Sequence, residues 1–103
     1  MLLVGDKSGN ASLIPKSNSL KVIQVYPGKS PISALSLNPE IPTQFVAADN
    51  DRNLKVWMLD DSRSPLHLMN SAHSDYIRDI KFQNKEVFFS ASHDRSIKIW
   101  DLR

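Results

Sequence analysis

Several residue types and patterns are missing from this sequence, and each absence excludes a class of protein. There is no cysteine, which excludes a disulfide framework, a thiolate nucleophile and a thiolate zinc site. Glycine occurs only three times in 103 residues, and no Gly-rich phosphate-binding loop is present. The apolar run at residues 1–4 is too short for a signal peptide, and no run approaches the roughly 20 apolar residues of a membrane-spanning helix. We therefore expect an intracellular protein, in the cytoplasm or nucleus, without membrane insertion.

The charges of the chain are nearly balanced. Lys and Arg number 13 against 11 Asp and Glu, which gives a formal net charge of +2 and a sequence pI of about 9.0. No run of like charges occurs, so there is neither a basic arm nor an acidic tail. This small surplus allows nucleic-acid binding but does not support it. Hydrophobic residues make up 41% and charged residues 23%, which is typical of a globular protein.

Apolar and polar residues alternate along short segments, which is the pattern of β-strands. Residues 54–57, 77–82 and 97–100 show this alternation and are rich in β-branched and aromatic residues. Clusters of turn-forming residues at 6–10, 50–53 and 93–96 predict tight turns between paired strands. No segment is long and periodic enough to predict a helix. The pattern indicates an all-β sandwich, barrel or propeller.

An internal repeat narrows the choice among these folds. The heptapeptide DRNLKVW at residues 51–57 recurs 43 residues later as DRSIKIW at residues 94–100. Upstream, the apolar positions 32, 35 and 37 recur 45 residues later at positions 77, 80 and 82. The upstream offset is two residues larger than the offset of the heptapeptide. This predicts two extra residues in the first copy, in the loop at residues 38–44. A period of about 40–45 residues with Asp and Trp six apart is typical of a propeller blade.

The second copy resembles a WD repeat along nearly its whole length. Ala72-His73 stands in place of the usual Gly-His pair, and is followed by SASHD at residues 90–94 and IKIWD at residues 97–101. Residues 27–60 resemble a second, degenerate repeat, and residues 2–9 resemble the middle of a third. The resemblance implies an all-β fold, a partial β-propeller made of four-stranded antiparallel blades. On this basis one propeller domain is divided into the later strands of a degenerate repeat (1–26), a degenerate blade (27–70) and a repeat lacking its last strand (71–103).

In WD-repeat proteins the motif residues form a buried polar network across the blade, and the matching positions here are His73, Ser90, Asp94 and Trp100. The resemblance implies that the indole of Trp100 contacts the hydroxyl, the hydroxyl contacts the imidazole, and the imidazole contacts the carboxylate. Burial of these groups is tolerated because each has a partner. The network is therefore expected to stabilise the fold. A catalytic triad is a poor alternative, since the hydroxyl would face an indole and no oxyanion hole is evident.

The middle repeat retains only part of this motif. Asp51 and Trp57 are assigned to its structural network, but Ala47 and Gly28 stand at the positions of the serine and the histidine. This blade is therefore expected to depend more on apolar packing. The packing residues are Phe45, Val46, Leu54 and Val56.

The sequence does not predict a metal site. Residues 49–53 carry oxygen ligands at alternate positions, but Leu54 and Asp60 occupy the positions where a calcium loop needs Gly and a bidentate Glu. His67, His73 and His93 share no metal-binding spacing. The sequence predicts no metal, no cofactor, no small-molecule substrate and no enzymatic activity.

Loop residues that flank the motif are the candidates for partner binding. In this family such residues face a partner more often than others do, and Tyr76 is the best single candidate because an exposed Tyr offers contact area with a polar tip. The alternative, that all are ordinary loop residues, is equally open. The candidates are Lys29, Asn50, Ser74, Tyr76 and His93.

The last sixteen residues, 88–103, resemble the box found in substrate receptors of cullin–RING ubiquitin ligases. Most of that box is the WD repeat itself, and only Arg103, two residues after Asp101, adds information. An Arg at this position is also compatible with a solvated side chain or a cross-blade ion pair.

Three functions follow from these resemblances. The first is a non-catalytic scaffold that binds several proteins in a multi-subunit intracellular complex. The alternatives are a ligase substrate receptor acting through Arg103 and a propeller subunit of a ribonucleoprotein or chromatin complex. Propellers close with typically 4–8 blades, so about two and a half blades are expected to belong to a longer chain.

Overall fold

A computed structural model describes residues 2–14 and 24–103, which form three antiparallel β-sheets. Ten strands follow one another, and no helix occurs among the described residues. This confirms the all-β fold expected from the alternating pattern. The strands are β1 (Leu2–Gly5), β2 (Ala11–Ile14), β3 (Gln24–Tyr26), β4 (Ile32–Leu37), β5 (Gln44–Asp49), β6 (Leu54–Met58), β7 (His67–Met69), β8 (Ile77–Phe82), β9 (Val87–Ser92) and β10 (Ile97–Asp101).

Each sheet pairs strands that are consecutive in sequence, as the blades of a propeller do. The orders are β1-β2-β3, β4-β5-β6-β7 and β10-β9-β8, and we call these sheets the first, middle and third blades. The middle blade has four strands, and the other two have three strands each within the described part of the chain. The three sheets fall within residues 1–26, 27–70 and 71–103, although residues 1 and 15–23 of the first segment lie outside the described residues.

The same tight turn occurs three times, at residues 6–10, 49–53 and 92–96. Gly9, Arg52 and Arg95, spaced 43 residues apart, all have positive φ angles of 94°, 69° and 69°. In each turn the first residue accepts a backbone N–H through its side chain. The shortest such contacts are Asp6 Oδ1 with Ser8 N at 2.8 Å, Asp49 Oδ1 with Asn53 N at 3.1 Å, and Ser92 Oγ with Asp94 N at 3.1 Å.

One edge of the molecule contains these turns and the loops at residues 27–31 and 70–76. The loops precede β4 and β8, and each of these strands runs antiparallel to the strand that ends at a turn, β5 and β9 respectively. The start of one strand and the end of its partner therefore lie at the same edge. We call this the turn edge. The loops at residues 38–43, 59–66 and 83–86 lie at the opposite edge. The first of these is two residues longer than its counterpart at 83–86, which confirms the insertion expected from the two repeat offsets.

That longer loop bridges the middle and third blades. Asn38, only 2% exposed, donates through Nδ2 to Gln44 Oε1 at 2.7 Å and to the carbonyl oxygen of Lys85 at 2.9 Å. Glu40 Oε2 accepts the backbone N–H of Lys85 at 2.7 Å. This buried polar bridge was not expected from the sequence, because it depends on which loop of the next blade lies alongside.

Two apolar cores separate the three blades. Every residue of β5 is buried, because one face of the middle blade packs on the first blade and the other face packs on the third. This explains why Leu54 and Val56 are 0% exposed, while their counterparts Ile97 and Ile99 are 71% and 68% exposed. Each buried side chain of this size stabilises the fold by about 1.5–3 kcal/mol.

Candidate functional site

The third blade contains a continuous chain of side-chain contacts. His73 Nδ1 lies 2.9 Å from Asp94 Oδ2, and His73 Nε2 lies 2.7 Å from Ser90 Oγ. Trp100 Nε1 donates to the same Ser90 Oγ at 2.8 Å. Because this oxygen accepts from the indole, its O–H can donate to Nε2, which assigns the proton of a neutral imidazole to Nδ1, facing the carboxylate. The chain of contacts runs from the blade interior to the turn edge.

The carboxylate of Asp94 is the junction between a loop and a turn. Ser96 Oγ donates to its Oδ1 at 2.5 Å, and the backbone N–H of Ser74 donates to its Oδ2 at 3.1 Å. The hydrogen bond from the Ser96 hydroxyl, followed by that from His73, holds the pKa of Asp94 well below its usual value, against the opposing effect of desolvation. The ionised carboxylate therefore ties the loop at residues 70–76 to the turn at residues 92–96.

The burial of Ser90 decides what this Ser–His–Asp set can do chemically. Ser90 is 0% exposed and the side chain of His73 is 0% exposed, so neither is open to a substrate. The hydroxyl also lies between an indole N–H and an imidazole rather than beside an oxyanion hole. The arrangement suits a buried, fully paired polar network.

In the middle blade, Asp51 and Trp57 are not brought together. Asp51 is exposed and makes no side-chain hydrogen bond within residues 2–14 and 24–103. Trp57, 3% exposed, packs edge-on against Tyr26 with ring centroids 5.5 Å apart and stacks on Phe45 at 6.5 Å. Ala47 offers no hydroxyl where Ser90 lies in the third blade. Apolar and aromatic contacts therefore take the place of the polar chain.

Tyr26 connects this aromatic cluster to the opposite edge. Its hydroxyl donates to the carbonyl oxygen of Leu59 at 2.6 Å. Burial, with a smaller contribution from the nearby carboxylate of Asp60, raises the pKa of Tyr26. The residue is 1% exposed, so it belongs to the core rather than to a contact surface.

Four of the residues proposed for partner binding lie together at the turn edge. Tyr76 is 49% exposed, and its ring meets that of His93 edge-on with centroids 6.4 Å apart. Asn50, Ser74 and Tyr76 line a groove of about 310 Å³ between the middle and third blades. Lys29 is exposed at the same edge but lines a different cavity.

Arg103 lies at the opposite edge, after the end of β10. Its Nη2 is 2.6 Å from Asp101 Oδ2, and its Nε is 3.4 Å from Glu86 Oε2. The hydrogen bonds from Arg103 lower the pKa of Asp101 to about 2. The guanidinium is thus paired within its own blade, and the structure does not bring it near the turn-edge candidates.

Arg52 is a turn-edge residue that the sequence analysis did not single out. Its Nη1 donates to the carbonyl oxygen of Ser74 at 3.3 Å, so it spans the junction between two blades. It lines the 310 Å³ groove and a second groove of about 520 Å³ that also contains Ser71 and Lys98. The repeated Asp-Arg pair at 51–52 and 94–95 was the available signal, but it does not show that Arg52 contacts Ser74 of the next blade.

Within the described ranges, no group of three or more His, Cys, Asp or Glu side chains is arranged to hold a metal ion. The same part of the chain includes no helix with the length and apolar character needed to cross a membrane.

Comparisons with known proteins agree with the blade architecture. Residues 64–101 match the WD40 family model, described as "WD domain, G-beta repeat". The chain is 33% identical over 82 residues to "Protein transport protein sec13" of Aspergillus oryzae, covering 72% of this chain and 28% of that protein. It is 37% identical over 81 residues to "EARP-interacting protein homolog" of Dictyostelium discoideum, covering 79% of this chain and 20% of that protein.

A third relative is "Small ribosomal subunit protein RACK1" of Dictyostelium discoideum, which is 26% identical over 76 residues, covering 69% of this chain and 23% of that protein. The chain spans less than a third of the length of each of these relatives. The matched residues include β7 of the middle blade and all three strands of the third blade, where the contacts among His73, Ser90, Asp94 and Trp100 occur. The chain belongs to the WD-repeat family and has its propeller-blade fold.

Proposed function

We propose that this protein is a non-catalytic scaffold that binds other proteins at its turn edge, within a multi-subunit complex in the cytoplasm or nucleus. The observation that carries the proposal is the groove between the middle and third blades. Exposed Tyr76 and Arg52 lie at this groove, and both residue types are enriched where binding energy concentrates in protein interfaces.

The groove is held on a rigid frame, which favours protein binding. The Asp94 carboxylate fixes the loop that carries Ser74 and Tyr76, and the backbone N–H of His93 donates to the carbonyl oxygen of Tyr76 at 2.9 Å. Arg52 reaches across to Ser74 and fixes the other wall. Because these groups are positioned before binding, less side-chain entropy is lost when a partner docks.

The ligase-receptor alternative draws no support from the surroundings of Arg103. Its guanidinium already contacts Asp101 and Glu86, so a partner would have to compete with these ion pairs. Both ion pairs are solvent-exposed, and they are compatible with the alternative that Arg103 has a structural role within its own blade.

The test is affinity purification of the full-length protein from its own source, with bound proteins identified by mass spectrometry. Tyr76→Ala is compared with Leu66→Ala, which truncates a similarly exposed side chain (54% exposed) at the opposite edge. We expect Tyr76→Ala to lose one or more bound proteins and Leu66→Ala to retain them all. Identical sets from both variants and the unaltered protein would overturn the turn-edge proposal.

Two further samples address the alternatives in the same experiment. Nuclease treatment before purification releases proteins that are held through nucleic acid, and their loss would favour the ribonucleoprotein or chromatin function. Arg103→Ala would release a ubiquitin-ligase adaptor if the receptor function held. We expect neither treatment to change the proteins that depend on Tyr76.

A further inference from the structure

The two grooves that adjoin Arg52 at the turn edge differ in the charge of their walls. The groove of about 310 Å³ contains the carboxylates of Asp51 and Asp75 and one guanidinium, that of Arg52, which leaves a net charge of −1. The groove of about 520 Å³ contains two basic side chains, Arg52 and Lys98, and one carboxylate, that of Asp94. A cationic group is therefore better matched to the smaller groove, which we call the acidic groove.

Both carboxylates of the acidic groove have oxygen atoms that a ligand can reach. Asp51 is exposed, and it makes no side-chain hydrogen bond or ion pair within residues 2–14 and 24–103. Asp75 is also exposed, and among the same residues its carboxylate accepts one hydrogen bond, from the backbone N–H of Tyr76 to Oδ1 at 2.7 Å. A cation that enters the groove therefore does not have to displace an ion pair formed by the described residues.

The two carboxylates belong to opposite walls of the groove that are in direct contact. Arg52 Nη1 donates to the carbonyl oxygen of Ser74 at 3.3 Å, and the carbonyl oxygen of Arg52 accepts the backbone N–H of Ala72 at 2.8 Å. Asp51 precedes Arg52, and Asp75 follows Ser74, so each carboxylate lies on a residue next to this contact. The volume of about 310 Å³ is at the lower end of the range for ligand pockets, about 300–1,000 Å³, and suits a single side chain.

Tyr76 adds an exposed aromatic ring to the wall formed by the third blade. The residue is 49% exposed, and its carbonyl oxygen accepts the hydroxyl of Ser92 at 2.9 Å. The backbone that carries the ring is therefore fixed before a ligand binds. The face of an aromatic ring attracts cations, and guanidinium groups stack on it readily.

We propose that the acidic groove binds an arginine side chain supplied by a protein partner. The guanidinium stacks on the ring of Tyr76 and donates to the carboxylates of Asp51 and Asp75. Arginine is better matched than lysine, because its planar group combines stacking with five N–H donors that meet two acceptors at once, whereas an ammonium is compact and strongly hydrated. The inference rests on the proposed protein-binding function and names the chemistry of the partner.

Blocked arginine, N-acetyl-L-arginine N-methylamide, tests the groove without any partner. Its binding to the full-length protein is measured by titration with saturation-transfer NMR. The comparison ligand is the corresponding blocked citrulline, which has a side chain of the same length and planar shape but no charge. Asp51→Asn and Asp75→Asn each remove one charge from the groove, and the amide oxygen at position 75 still accepts the Tyr76 N–H. Asp60→Asn makes the same change at an exposed site on the opposite edge of the middle blade.

We expect saturable binding of blocked arginine that is weakened about two- to fivefold by Asp51→Asn and by Asp75→Asn, the range for an exposed ion pair, and left unchanged by Asp60→Asn. Tyr76→Ala is expected to weaken binding by a similar factor, because the stacking surface is lost. Blocked citrulline is expected to bind more weakly than blocked arginine. The proposal is overturned by absence of saturable binding, by equal affinity of the two ligands, or by equal affinity of the three Asp variants.

Affinity purification separates this proposal from the function on which it rests. The protein that depends on Tyr76 is expected to be lost also from the double variant Asp51→Asn/Asp75→Asn. If Tyr76→Ala releases a bound protein and the double variant retains it, the arginine proposal is overturned and the turn-edge function stands. If neither variant releases a protein, the turn-edge function itself is overturned, whatever the result with blocked arginine.

Discussion

The imidazole of His73 and the carboxylate of Asp94 lie 2.9 Å apart and join two segments that are 21 residues apart in the chain. One segment is the loop that enters the third blade, and the other is the turn between β9 and β10. This contact holds the loop at residues 70–76 against the turn at residues 92–96 in the third blade. The corresponding contact does not occur in the middle blade, where Gly28 has no side chain.

Replacement of the two equivalent aspartates is expected to have unequal effects. Asp94→Ala removes acceptors for Ser96, His73 and the Ser74 backbone, whereas Asp51→Ala removes an exposed carboxylate without a side-chain hydrogen bond in the described residues. We expect a lower denaturant midpoint for Asp94→Ala and an unchanged one for Asp51→Ala, measured by urea unfolding of the full-length protein. Equal midpoints for the two variants would contradict this assignment.

Removal of the Ser90 hydroxyl is expected to cost about 1–3 kcal/mol of unfolding free energy. Ser90→Ala leaves the Trp100 indole N–H and His73 Nε2 without the partner they share, in a position that is 0% exposed. Ser64→Ala, a truncation of an exposed serine, is the control and is expected to stay within about 0.5 kcal/mol. A cost for Ser90→Ala as small as that of the control would show that the polar chain does not stabilise the blade.

The stability contributed by Asp94 is expected to depend on acid pH. Hydrogen bonds led by that of Ser96 lower the pKa of Asp94 in the folded state below the value of about 3.8 for an unperturbed carboxyl. The contribution is therefore fully present above the unfolded-state pKa and is lost as the pH falls toward the folded-state pKa.

The measurement for this prediction is the difference in unfolding free energy between the unaltered protein and Asp94→Asn at about pH 7, 5, 4 and 3, a range that spans the ordinary Asp pKa. We expect a constant difference at the two higher pH values and a smaller one at the two lower values. The lowered pKa of Asp101 affects both proteins alike and cancels in the difference. A difference in unfolding free energy that increases as the pH falls would contradict a lowered pKa of Asp94.

Glycine at position 95 is expected to stabilise the turn of the third blade. Arg95 has a φ of 69° and is exposed, and a left-handed conformation costs an L-residue roughly 1–2 kcal/mol that Gly does not incur. Greater freedom of Gly in the unfolded chain offsets part of this, so a net gain of about 0.5–1 kcal/mol is expected for Arg95→Gly. Arg95→Val is the matched variant, and it should destabilise the protein because a β-branched residue disfavours positive φ. The measurement is the melting temperature of each variant by thermal unfolding. A change of the same sign for both variants would contradict the prediction.

Much of the architecture follows from local features of the sequence. Alternation of apolar and polar residues predicts strands because successive side chains point to opposite faces of a sheet, and the turns carry side chains that accept their own backbone N–H groups. The offsets of 43 and 45 residues located the extra two residues of the loop at 38–43. The motif residues of the third blade, from His73 to Trp100, are in contact with one another. They lie within one repeat of the sequence, which folds as a single blade.

The contacts between blades could not be predicted from the sequence. The contacts of Arg52 with Ser74 and of Asn38 with Lys85 join residues 22 and 47 positions apart, and each depends on how one sheet is set against the next. The same is true of Arg103, whose pairing with Glu86 follows from the loop that lies beside the end of β10.

The sequence by itself determined that this chain forms WD-repeat blades, because strand alternation, turn chemistry and the motif spacing are local and repeat along the chain. Only the tertiary structure decided that Asp51 is exposed beside an open cavity while its counterpart Asp94 is enclosed by partners. The physical reason is that an aspartate in a turn has the same local geometry in both blades. Whether it is paired depends on the side chain that the loop from the preceding blade places opposite it, a histidine in one case and a glycine held against Gly9 in the other.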